Sequence, residues 1–170
     1  ITLYAAGYDA DGNYLGDQEV TWSVDNPIGV FAPNPAPSTI FYADTVGTGT
    51  ITADHADAGV TDDVTGTITV SPGALNYVLV RDAAGGAGNE IGDVAMTTDE
   101  TLDVYAAGYD SDDNYISDVS VTWVVTNGIG TVSPATGSSA TFDATTVGSG
   151  VITADHGTAT DDSTGTITVS

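Results

Sequence analysis

The chain has 170 residues, enough for one large domain or two small ones, and sets 24 Asp and Glu against one basic residue, Arg81. A surface this negative repels phosphate, which excludes nucleic acid as a partner and disfavours anionic membranes, so the partners it invites are cations. The absence of Cys excludes disulfides and thiolate metal sites, and the absence of Lys excludes a Lys-based isopeptide crosslink.

The chain opens on "ITLYAAGYD", which reads as the interior of a strand, and runs into the acidic phrase "YAAGYDADGNYLGD" (Tyr4 to Asp17). Val20, Trp22 and Val24 then alternate with Thr21 and Ser23, the period-two mark of a half-buried strand. A further strand is expected at "ITADH" (Ile51 to His55), and a closing one where Ile68 and Val70 alternate with Thr67 and Thr69. Ser71-Pro72-Gly73 reads as a short junction that limits bending.

Residues Ala74 to Glu100 supply a strand at Tyr77 to Arg81, the glycine-rich stretch "RDAAGGAGNE" (Arg81 to Glu90) and a short return. Those glycines lack the following Lys and the helix of a phosphate cradle, so they are expected to let the strand cross between sheets as a bulge or bend. The acidic phrase then returns as "YAAGYDSDDNYISD" (Tyr105 to Asp118), followed by the alternating Val119, Val121, Trp123 and Val125. "ITADH" recurs at Ile152 to His156, and Ile167 and Val169 close the chain.

Tyr4 and Tyr105 are offset by 101 residues, and the offset holds for Trp22 and Trp123, Pro33 and Pro134, and Phe41 and Phe142. Past the histidines the first copy carries two extra residues before "TDDVTGTITVS" realigns with "TDDSTGTITVS". A repeat of this length is a whole small domain, so tandem domains are expected at residues 1–72 and 73–170. Thr, Val, Ile and Tyr runs punctuated by Gly, Pro, Asn and Asp, with no helical spacing, predict an all-β antiparallel sandwich in each.

Nothing before Ile1 matches the strand at Tyr77 to Arg81. The first domain is therefore expected to be partial, lacking its N-terminal strand and leaving an unpaired sheet edge. Either the chain is a section of a longer array, or a neighbouring subunit donates the strand.

The stretches "GYDADGNYLGDQEVTWSV", "GTGTITADH" and "TGTITVS" resemble the bacterial Ig-like (Big-type) tandem repeat domains of surface adhesins and surface-layer-type proteins. The resemblance covers nearly the whole chain, and copy two departs from copy one in carrying Asp113 where the first has Gly12. It implies immunoglobulin-like Greek-key sandwiches in an extracellular or cell-surface protein. There the chain would serve as an acidic, non-catalytic spacer or stalk, its partners being neighbouring repeats, with lateral self-association open. The alternatives are a ligand- or carbohydrate-binding adhesin module, calcium-dependent or not, and an accessory domain of a surface enzyme.

Two sets of residues are singled out for binding. Asp9, Asp11, Asn13 and Asp17, repeated as Asp110, Asp112, Asn114 and Asp118, imitate the start of a calcium loop, and no other cofactor is indicated. Tyr stands where that loop needs Gly, and the bland reading is a hairpin turn capped by its own carboxylates. Tyr4, Tyr8, Tyr105 and Tyr109 fall opposite the inward Leu102, Val104 and Ala106, which faces them out as a candidate contact surface; against this stands a cross-strand pair shielding the sheet, or a register switch that turns them inward. Asp62 and Asp63, with Asp161 and Asp162, read as solvated loop acids or a second cation site that Asp57 joins. His55 and His156 read as structural residues at the rim, because the adjacent Asp54 and Asp155 point to the other face.

Overall fold

A computed structural model describes all 170 residues, which divide into unit 1, Ile1–Ser71, and unit 2, Pro72–Ser170. Every regular element is a strand.

Unit 1 contains β1 (Thr2–Tyr4), β2 (Ala6–Tyr8), β3 (Tyr14–Asp17), β4 (Thr21–Val24), β5 (Gly29–Ala32), β6 (Ser38–Ala43), β7 (Gly47–Gly49), β8 (Ile51–Asp54), β9 (Asp63–Val64) and β10 (Ile68–Val70). Unit 2 contains β11 (Tyr77–Arg81), β12 (Val94–Met96), β13 (Thr101–Tyr109), β14 (Tyr115–Asp118), β15 (Val121–Val125), β16 (Gly130–Ser133), β17 (Thr136–Gly137), β18 (Ser139–Ala144), β19 (Gly148–Gly150), β20 (Ile152–Asp155), β21 (Asp162–Ser163) and β22 (Ile167–Val169).

In unit 2 one layer runs β11-β13-β18-β16, with β14 paired to the end of β13; the other holds β17-β15-β20-β21 and β12-β22-β19. The strand pairings are antiparallel except that of β12 with β22, and Tyr77 of β11 makes one further parallel bridge to Thr160. Strand alternation aims Val78, Val80, Val104, Ala106 and Phe142 from the first layer at Val121, Trp123, Ile152 and Ala154 from the second, and Ile167 and Val169 join them in one core.

Unit 1 repeats this plan with fewer strands, pairing β1-β6-β5, β2-β3, β4-β8-β9 and β10-β7. Its core is smaller, built on Val20, Trp22, Ile28, Phe41 and Ile51. The continuous β13 corresponds to two pieces, β1 and β2, and nothing within residues 1–71 corresponds to β11 or β12.

The glycine-rich stretch does not itself bend the strand from one sheet to the other: it closes a loop back onto β11, where Arg81 bridges Glu90 and the Ile91 N–H donates to Val80 O at 3.0 Å, and the crossing to β12 follows it. Gly85, Gly86 and Gly88 all take positive φ, 73°, 67° and 70°, a backbone region that side chains disfavour. The Asp82 carboxylate closes the bend by accepting the Asn89 N–H at 2.7 Å.

Candidate functional site

The repeated acidic phrase folds as a hairpin in both units. Asp9 Oδ1 accepts the N–H groups of Asp11 and Asn13 at 3.0 and 2.8 Å, and Oδ2 accepts Asn13 Nδ2 at 2.9 Å. Asp110 repeats the arrangement with Asp112 and Asn114, and its Oδ2 accepts a further N–H, from Gly73, at 2.7 Å. These bonds favour the ionised form. Chiefly through Gly73, they hold the buried Asp110 carboxyl at about 2; Asp9 is also lowered, chiefly by the Asn13 amide.

Asp17 and Asp118 lie at the far end of each hairpin, where they accept the hydroxyls of Tyr14 and Tyr115 at 2.8 and 3.0 Å. The structure therefore brings Asp9 to Asn13 and Asp110 to Asn114, with Asp17 and Asp118 engaged elsewhere. No group of three Asp, Glu or His side chains anywhere in the chain is placed to hold a metal ion.

The loop acids have backbone partners of their own. Asp62 and Asp161 accept the N–H of His55 and His156 at 3.0 and 2.9 Å, and Asp57 accepts that of Gly59 at 2.9 Å. Asp162 reaches across unit 2 to accept the Val80 N–H at 2.8 Å. Both histidines are half-buried.

The tyrosines separate the two units. Tyr4 and Tyr8 are exposed, at 66% and 62%. The outward placement expected of Tyr109 is corrected, for it is only 7% exposed, and Tyr105 is half-buried. The reason is β11: Tyr77 stacks on the Tyr109 ring, with centroids 5.4 Å apart and planes 12° from parallel. Tyr115 meets the same ring edge-on at 5.8 Å, and the Arg81 guanidinium lies 5.6 Å from its centroid. Tyr109 is thus one member of a cross-strand aromatic pair, and the strand parity that places it outside is overridden by a neighbour on that side.

Where β11 lies in unit 2, unit 1 has an open groove of ≈270 Å³. One wall is the stretch from Leu3 to Tyr8, the other Val60 to Asp63, and the floor includes Trp22, Ile51 and Ala53. The corresponding parts of unit 2 enclose β11 on both sides. Its residues Tyr77 to Arg81 pair with Tyr109 to Tyr105, while Val78 N–H donates to Thr160 O at 3.0 Å and Thr160 N–H to Asn76 O at 2.9 Å. Val78 and Val80 fill the space beneath.

No family model matches the chain, and no curated protein does. Among solved structures, S-layer protein SbsC domains 4 and 5 match at 20% identity over 99% of this chain and 80% of that one, with a TM-score of 0.34. Domains 4–9 of surface layer protein SbsC match at 20% identity over 99% of this chain, and domains 1–6 at 19% over 95%. Their TM-scores are 0.36 and 0.38, and the chain spans 25% and 22% of those two longer proteins. Likeness at this level carries no argument; the architecture rests on the pairings above.

What reading by motif passes over is the second wall: Asp161 and Asp162 read as solvated loop acids or a cation site, whereas the segment Thr160 to Asp162 bonds β11 through Thr160 and Asp162.

Proposed function

We propose that the chain is a structural segment of an extracellular or cell-surface protein, an acidic spacer made of tandem Ig-like sandwiches without a catalytic site. The observation that carries this reading is that one plan is built twice, and that the residues repeated are those of turns and core. Asp9 and Asp110 lock hairpins, Trp22 and Trp123 are buried, and Phe41 and Phe142 fill the two cores. The order β11-β13-β18-β16 opposite β15-β20-β21, with β12 parallel to β22, supports a Greek-key, Ig-like connection. Twenty-four acidic side chains against one basic keep such segments from collapsing onto one another.

Pulling the full chain between two handles tests the reading. Two separate unfolding events are expected, with contour-length gains of about 3.4 Å per residue for the 71 and 99 residues of the units. Smooth extension without distinct events overturns it. The alternative of a carbohydrate-binding module has one observation in its favour, the exposed Tyr4 and Tyr8. Saturable binding on a glycan array, lost in Tyr8→Ala, would establish that alternative instead.

A further inference from the structure

One turn of unit 2 sets a side-chain amide directly before a free backbone nitrogen. Residues Thr126 to Ile129 carry the chain from β15 in one layer to β16 in the other, and at their centre stand Asn127 and Gly128, both exposed. The two take positive φ, 59° and 62°, a region that Asn tolerates better than most residues and Gly adopts freely. The Gly128 N–H has no acceptor within the protein, and a Cβ built on Gly128 would meet nothing within 4 Å. An uncommitted nitrogen thus follows the Asn127 amide carbon, with open space around it.

The twin turn of unit 1 isolates the reactive feature. Each turn is anchored by its Asn, with Asn26 Nδ2 donating to Thr48 O and Asn127 Nδ2 to Ser149 O, both at 2.8 Å. The anchors match, but Pro27 follows Asn26, and its ring nitrogen has no hydrogen to lose. Asn127 is the only Asn of the chain that Gly follows; Tyr, Glu or Pro follows the others.

We propose that Asn127 is a self-modification site, at which the folded chain converts an amide into a carboxylate with water as the co-reactant. The Gly128 nitrogen attacks Asn127 Cγ. A bond forms between them, the Cγ–Nδ2 bond breaks, and ammonia leaves carrying the Gly128 proton. Water then opens the cyclic imide: cleavage at Cγ leaves aspartate, cleavage at the main-chain carbonyl leaves isoaspartate, and no atom is oxidised or reduced. Either product lacks the Nδ2 donor, so the bond to Ser149 O is lost. Isoaspartate also adds a backbone atom close to the buried Ile129, whose carbonyl receives the N–H groups of Thr145 and Thr146. Unit 2 therefore loosens with age while unit 1 keeps its turn. This goes beyond the spacer reading, which holds whether or not the turn is modified.

The test ages the full chain in mildly alkaline buffer, folded and in urea, and cuts samples with an Asp-directed protease. Asp118 to Phe142 is the fragment that reports Asn127, and Asp25 to Ala43 reports Asn26. Isoaspartate resists the protease, so that product keeps the first fragment whole and adds the mass of an NH-to-O exchange, whereas the aspartate product is cut before position 127. Both are expected from the folded chain at a rate within about tenfold of that in urea, because an exposed turn opens at little cost. The Asn26 fragment should stay unchanged. Gly128→Ala should slow the conversion by more than about tenfold, since a methyl group then crowds the attacking nitrogen. The modified chain carries one more negative charge, so anion exchange separates it, and its thermal midpoint, read on Trp123 in a Trp22→Phe background, should be lower. An unchanged Asn127 fragment in the folded chain overturns the proposal. So does conversion of Asn26 at the same rate, a rate that Gly128→Ala leaves untouched, or a modified fraction that melts with the unmodified one.

Discussion

Two nearly identical phrases, Tyr4 to Asp17 and Tyr105 to Asp118, meet different surroundings in the two units. In unit 2 the phrase has β11 against it: Tyr109 is covered, and Asp110 is buried under the N–H of Gly73. In unit 1 the same hairpin closes with the same bonds from Asp11 and Asn13 to Asp9, yet Tyr8 and Asp9 stay exposed. The hairpin is therefore a local device that forms without the strand, while burial of its tyrosine and of the core beneath depends on a segment distant in sequence. The contrast teaches that β11 covers a shared hairpin whose tyrosine otherwise lies at the surface.

The largest effect should come from damaging that strand. Val80 is fully buried, and Val80→Asp places a carboxylate in the apolar core of unit 2, at a cost of more than about 4 kcal/mol. Each unit has one Trp, so Trp22→Phe and Trp123→Phe backgrounds report unit 2 and unit 1 separately by fluorescence. In urea, the Trp123 transition should collapse to low denaturant in Val80→Asp, while the Trp22 transition stays in place. If the two transitions move together, the comparison of independent units fails.

Much of this architecture can be read from residues in order. The strand expected at Tyr77 to Arg81 is β11 with its observed bounds, and the repeat, offset by 101 residues up to the histidines and 99 beyond them, marks the strands that the units share. The Asp and Asn of the acidic phrase read as a turn capped by its own carboxylates, and the structure gives them those bonds. Tyr109 could not be placed from parity, because parity assumes that one face of a strand meets solvent; here Tyr77, Tyr115 and Arg81 gather on that face. The second wall against β11 escapes sequence reading for a related reason. Val80 and the Asp162 that receives its N–H are 82 residues apart, and no local pattern joins "VLV" to "TDD".

A smaller effect separates the two hairpin carboxylates in acid. A carboxyl held below its ordinary 3.8 stabilises the fold above that value, and the contribution disappears as pH falls through the folded value. For Asp110 the window runs from about 4 down to about 2, set chiefly by the Gly73 N–H, which Asp9 does not receive. Thermal midpoints read on Trp123 should therefore fall more steeply over that range than those read on Trp22. Asp110→Asn should lower the Trp123 midpoint at neutral pH and flatten its acid limb, leaving unit 1 unchanged. Equal acid slopes for the two units would show that the Gly73 contact adds nothing.

The smallest expected effect concerns the turn position that carries Gly in one hairpin and Asp in the other. Gly12 and Asp113 occupy the same place at φ 82° and 65°, a region where Asp is better tolerated than most side chains. An added Cβ at Gly12 would meet nothing within 4 Å, so Gly12→Asp should cost well under about 1 kcal/mol of unit 1 stability, all of it in the backbone. Asp113 has a task, because Tyr77 Oη donates to it at 2.7 Å, and that bond pushes the phenol up to about 12. Tyr77→Phe should lower the unit 2 stability read on Trp123 by the worth of one modest hydrogen bond, about 0.5 kcal/mol, and leave the Trp22 signal in place. An unchanged Trp123 midpoint would show that Asp113 gains nothing from its tyrosine and that Gly and Asp are interchangeable at this turn position.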